Sequence, residues 1–130
     1  MKTGQQIIRI AAILGALAVV FGAFGAHGLK ALLSDQQLNA YQTGVEYHFY
    51  HALATVLVGV LCLIKHEKAL IRVGVFFLLG IVLFSGSLYL LACADLLGIS
   101  RGVKGILGPL TPIGGVFFIL GWLQLAFAVK

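Results

Sequence analysis

Four apolar stretches, 7–29, 45–64, 69–94 and 109–129, occupy most of this 130-residue chain. Each approaches or exceeds the roughly 20 residues that carry a helix across a hydrocarbon core. Hydrophobic residues make up 61% of the sequence and charged residues 10%, with a mean hydropathy of +1.08. A soluble domain carries about 25% charged residues, so the excess apolar surface here must face lipid. The polar segments between the stretches are short and leave no room for a soluble module. The expected fold is all-α: one integral membrane domain over residues 1–130, a compact four-transmembrane-helix bundle with helices near 7–29, 35–64, 69–94 and 109–129.

The net charge of +5 does not point to nucleic acid. The basic residues form no stripe and have no aromatic interleaving; they stand at the ends of apolar spans. With four crossings, Lys2, Arg9, Lys65, Lys68, Arg72 and Lys130 share one side and Lys30, Arg101 and Lys104 the other. The excess of positive charge places both termini in the cytoplasm. Lys2 and Arg9 ahead of an apolar run resemble a signal peptide. The run is longer than an h-region, so a retained first helix is expected. Cys62 and Cys93 fall near opposite faces of the membrane, about 25 Å apart at 1.5 Å per helical residue. That is too far for a disulfide.

Small residues recur along the spans: Gly15, Gly22 and Gly25 in the first, Gly59 in the second, Gly80 in the third, Gly121 in the fourth. Apolar helices gain nothing hydrophobic by meeting in lipid, so close approach over small residues supplies the packing energy. Ser34 followed three residues later by Gln37 has capping-box spacing, predicting a helix from Asp35 to Ile64. "DLLGISRGVKGILG" (95–108) is expected as an outer loop, with the prolines of "GPLTPIGG" (108–115) starting the fourth helix, where a missing N–H costs least. The two halves of the chain share no motif, which gives an inverted-repeat transporter no support.

The second span tests that scheme, because "GVEYHFYHAL" (44–53) places Glu46, His48 and His51 at its start. On a helical wheel the two histidines share the small-residue face, while Glu46 points nearly opposite, about 160° from His48. Depth along the helices brings His27, His48, His51, Ser85, Tyr89 and Thr111 to one level, about 18–25 Å from the cytoplasmic ends at 1.5 Å per residue. Buried polar groups in hydrocarbon must find partners or cost several kcal/mol each. These residues, with Ser87, are therefore read as an interhelical hydrogen-bond layer that fixes packing. Glu46 would reach headgroups or pair with Arg101 or Lys104. Asp95 is read as a solvated loop acid or a partner for Arg101.

The same residues suggest other uses. His48-x-x-His51 with His27 could hold a transition metal, but no Cys or carboxylate shares that face. Haem would need axial histidines from facing helices, and His27 lies off its helix's packing face. A proton path suits intramembrane histidine, yet only Thr55 and Cys62 lie between His51 and the cytoplasmic end. No metal or cofactor is expected. No Gly-x-Ser-x-Gly, Walker loop or CxxC is present, and no enzymatic activity is expected.

Four phrases in order, "GAFGAHGL" (22–29), "QTGVEYHFYHAL" (42–53), "FSGSLY" (84–89) and "TPIGG" (111–115), resemble the YgdD-like family of small bacterial inner-membrane proteins. The resemblance covers nearly the whole chain and implies a compact four-helix protein of the inner membrane. His27, Glu46, His51, Ser85, Ser87, Tyr89, Thr111 and Pro112 fall on its motif positions; His48 does not. The resemblance implies no settled biochemical activity. Expected partners are membrane lipids and a second copy or another membrane protein. The expected function is organisation of the bundle, an oligomer or a partner contact. The alternative is a small transporter or channel subunit that titrates His51, Glu46 and His27. The third is a quinone- or lipid-binding protein with a lipid-open pocket lined by His27, His51 and Tyr89.

Overall fold

The computed structural model describes residues 2–129 and consists of helices joined by short turns, with no strand among the described residues. Four helices are long and apolar enough to span a membrane: α1 (Lys2–Leu29), α2 (Asp35–Ile64), α3 (Lys68–Ala92) and α5 (Arg101–Ala128). A single-turn helix, α4 (Ala94–Leu97), stands between α3 and α5. Four crossings bring both ends of the chain to one end of the bundle. The opposite end, with the α1–α2 and α3–α5 connections, is called the far end below. Lys130, one of the basic residues weighed for topology, lies outside the described residues.

The helices pack in the order α1–α2–α3–α5, with α2 and α3 inside and α1 and α5 on the flanks. The most apolar window of α2 is 44% buried, against 17% for α1 and for α5. What remains exposed is an apolar girdle of residues such as Ile13, Val82 and Phe127. Lipid can solvate such a surface and water cannot.

Helix α2 begins as its sequence dictates. Ser34 Oγ accepts from the Gln37 backbone N–H, and the Gln37 side chain accepts from the Ser34 N–H. Two first-turn donors without helical partners are thereby satisfied. At the other boundary the expected loop 95–108 is overturned. Helix α5 starts at Arg101, with Ser100 Oγ accepting from the Val103 N–H at 3.3 Å. Pro109 and Pro112 lie inside the helix and do not start it. Each follows a glycine by four residues, Gly105 and Gly108. A proline ring presses on the carbonyl four residues back, and both glycines have open space around them, so the backbone there can yield.

Two helices widen into π-turns, α1 at Gly25–Leu29 and α3 at Ile81–Ser85. Such turns interrupt the regular ladder and often mark functional sites. The α3 turn carries a close backbone approach: a Cβ on Gly114 of α5 would run into the Phe84 backbone. Of the six glycines picked out from the sequence, five sit at tight contacts. A Cβ would meet Val45 at Gly22, Tyr41 at Gly25, Ile8 at Gly59, Phe118 at Gly80 and Phe77 at Gly121. Gly15 differs, because its nearest neighbour, the Ala52 Cβ, would be 4.0 Å away. A methyl group fits there.

Candidate functional site

Helix α2 turns His48 and His51 into the protein, where they are 3% and 4% exposed. One helical turn apart on the small-residue face, they look toward different neighbours. His48 faces α1 and α3: its Nδ1 lies 2.8 Å from the Tyr89 hydroxyl, and the Phe21 ring packs beside it. His51 faces α5, stacked on Phe118 with ring centroids 3.5 Å apart and edge-on to Phe77.

The partners of His51 fix its protonation pattern. Nδ1 lies 2.7 Å from the Tyr47 carbonyl oxygen, which can only accept. Nε2 lies 3.0 Å from the Trp122 indole N–H, which can only donate. His51 is therefore the neutral tautomer with its proton on Nδ1, and both ring nitrogens are used. A second proton on Nε2 would face the indole N–H and expel it. The His51 carbonyl in turn accepts from Thr55 Oγ1 at 2.6 Å.

A third pair joins α3 to α5. Ser87 Oγ donates to the Phe84 carbonyl at 2.9 Å and lies 2.6 Å from Thr111 Oγ1. Because the serine proton is spent on Phe84, Thr111 is the donor between the two hydroxyls. Tyr41, 4% exposed, donates to the Phe21 carbonyl at 2.6 Å. Two buried polar atoms end without hydrogen bonds among the described residues. One is Ser85 Oγ, within the α3 π-turn; the other is His48 Nε2.

The residues grouped by depth thus divide into separate pairs, His48–Tyr89, His51–Trp122 and Ser87–Thr111, with Ser85 near them on α3. His27 does not join them. It is exposed on the α1 π-turn, because equal depth does not give equal azimuth and its side of α1 turns to lipid. Glu46 is also exposed. It lies in a shallow groove beside Ala18, Gly22 and Tyr50, between α1 and α2 and away from α5. Lys104 pairs instead with Asp95 at 3.0 Å, and the Gln37 amide donates to the other Asp95 oxygen at 3.1 Å. The Lys104 hydrogen bond and charge, aided by Gln37, hold the Asp95 carboxyl below its ordinary value. Asp95 therefore partners Lys104 and Gln37, and Arg101 takes no part in an ion pair among the described residues.

Trp122 was not foreseen from the sequence. Counted along its helix it lies about 10 Å from the terminal end, against about 20 Å for His51, and only helix crossing brings them level. Among the described residues no three His, Cys, Asp or Glu side chains gather as metal ligands. Cys62 and Cys93 are both free thiols.

Residues 21–115, the segment that holds both π-turns and every one of these pairs except Trp122, match the family described as "Protein of unknown function (DUF423)". The chain belongs to this family. It is 42% identical over 125 residues to the UPF0382 membrane protein YwdK of Bacillus subtilis, covering 95% of each chain. It is 37% identical over 129 residues to the UPF0382 inner membrane protein YgdD of Escherichia coli, covering 98% of this chain and 92% of that one. A Haemophilus influenzae UPF0382 membrane protein is 36% identical over 123 residues. No solved structure matches the chain. The resemblance carried by the four sequence phrases therefore holds, and this DUF423 member is a multi-pass membrane protein of unknown activity.

Proposed function

We propose that this DUF423 protein is a non-enzymatic component of the bacterial inner membrane, with both termini in the cytoplasm. Its interhelical polar pairs pin the helices together, and its exposed polar residues serve contact with a second copy or another membrane protein. The observation that carries this reading is the use of both His51 nitrogens, by the Tyr47 carbonyl and the Trp122 indole. A relay histidine needs partners that can give up or take a proton; a backbone carbonyl and an indole N–H do neither, so this ring can only hold its neighbours in place.

Two further features support it. Toward the terminal end, the polar residues of α2 beyond His51 are Thr55, bonded back to the His51 carbonyl, and Cys62. Those groups make no chain of exchangeable protons. His27 and Glu46 are exposed and outside the pairs, which leaves them available to a neighbour. The inner-membrane location is supported by the YgdD relative, and the orientation by the excess of basic residues that the sequence assigns to the terminal side, six against three.

The test compares the wild-type protein and His51→Ala in proteoliposomes and in detergent. The expected result is no proton flux through either protein and a lower melting temperature for the variant. Proton flux through the wild type, lost in a variant of unchanged stability, would replace this reading with a transporter.

A further inference from the structure

At the far end a cleft of about 420 Å³ lies between the end of α1, the start of α2 and the α3–α4 corner. Its size falls within the roughly 300–1,000 Å³ of sites that take small ligands. Leu29, Leu90 and Leu97 are among its walls. Phe21, Tyr41 and Tyr89 close it toward the bundle interior, with ring centroids 5.1 Å apart for Phe21–Tyr89 and 5.3 Å for Tyr41–Tyr89. Both tyrosine hydroxyls are already committed elsewhere, Tyr41 to the Phe21 carbonyl and Tyr89 to His48. Apart from the Cys93 thiol, a weak donor, the cleft therefore presents hydrocarbon, which suits an alkyl chain and not a quinone ring.

A transmembrane helix does not suit it either. The walls come only from residues 21–32, Tyr41 and residues 89–97, all at one end of the bundle. A helix about 10–12 Å across would need a groove running the length of the span. Charge decides what the chain is attached to. Lys30 follows the wall residue Leu29 in the chain, two residues before Leu32, on an exposed turn and without an ion pair among the described residues. Of the acids in the far-end connections, Asp95 is paired with Lys104, and Asp35 sits in the first turn of α2, where the helix dipole favours a carboxylate.

We propose that the far-end cleft binds one acyl chain of a bilayer phospholipid whose phosphate is held by Lys30. Neither the His51 pin nor the absence of transport enters this proposal. It is tested by native mass spectrometry of the delipidated full chain, offered phosphatidylglycerol or an uncharged diacylglycerol with the same acyl chains. The wild type should retain one phosphatidylglycerol at least fivefold more than diacylglycerol. Lys30→Gln, on an exposed turn, should remove that preference, and Leu90→Trp should lower retention of both lipids at least fivefold. Cys93 lines the same cleft and gives a second readout independent of Leu90→Trp folding. In a Cys62→Ser chain, its alkylation by a maleimide should slow at least fivefold when phosphatidylglycerol is added. Retention unaffected by Leu90→Trp, a wild type indifferent to phosphate, an unchanged Cys93 rate, or a second protein copy bound in place of lipid would each overturn the proposal.

Discussion

Where α2 meets α1, the contact depends on side chains that are missing. A Cβ on Gly59 would meet Ile8 at 2.6 Å and the Gly4 carbonyl oxygen at 3.1 Å, and one on Gly4 would meet the Gly59 carbonyl oxygen at 2.8 Å. Where α2 meets α3 and α5, rings fill the space: His51 on Phe118, Phe77 against Trp122, Tyr47 on Phe84. The polar pairs follow this division. His51–Trp122 lies on the ring side and Ser87–Thr111 between α3 and α5; across α1 and α2, Tyr41 donates to the Phe21 carbonyl near the far end, away from the Gly4–Gly59 contact. Backbones in near contact leave no room for an imidazole, whereas a wider, ring-filled gap does. A glycine seam fixes distance; a polar pair adds register and direction.

Substitutions on the two sides should therefore fail differently. The largest effect is expected at Gly59→Leu, which must push apart two backbones that cannot yield. It should cost about 3 kcal/mol or more of stability, at the upper end of overpacking effects, and should detach α1 selectively, read by protease access to its terminal end. Gly15→Ala, on the same helix pair, should leave the melting temperature unchanged, because the nearest atom to an added Cβ is 4.0 Å away. Equal losses at the two glycines would dissolve the distinction between a tight and a loose part of that seam.

On the ring side the losses should be smaller and chemical. Trp122→Phe keeps most of the packing but strands the buried His51 Nε2, a loss of about 1 kcal/mol, within the range for interhelical hydrogen bonds in membranes. Tyr89→Phe should cost about 0.6 kcal/mol, the average for such bonds. Denaturant titration in mixed micelles orders the two. A greater loss from Tyr89→Phe would contradict the ranking of the two histidines. The smallest effect belongs to Asp95, which is fully exposed. Its carboxyl is held below 3.8, so its tie to Lys104 is complete above that pH and fades as acid drops below it. In Lys104→Gln the Asp95 carboxyl should titrate closer to 3.8 than in wild type, read by carbon NMR of the side chain.

Much of this was legible in the sequence and some was not, for identifiable reasons. Hydropathy located four crossings because lipid punishes polar residues at almost every position of a span. Ser34 and Gln37 marked the start of α2 because a capping box is local chemistry. Residues 101–108 read as loop because three glycines and two following prolines oppose a helix. The structure overrides that local preference with the Ser100 cap and a backbone free to yield at Gly105 and Gly108. Depth placed His48, His51, Ser87 and Thr111 among buried contacts but misplaced His27, whose azimuth turns it to lipid. Trp122 stayed hidden because counting along one helix cannot see how it crosses another.

The central claim is that His51 is a neutral pin, with Nδ1 donating to the Tyr47 carbonyl and Nε2 accepting from Trp122. Nitrogen NMR of His51 in lipid bilayers at neutral pH reads it directly. The expected spectrum shows a protonated Nδ1, an unprotonated Nε2, and an Nε2 resonance that shifts when Trp122 is replaced by Phe. A doubly protonated ring, the opposite tautomer, or an Nε2 resonance indifferent to that replacement would contradict it.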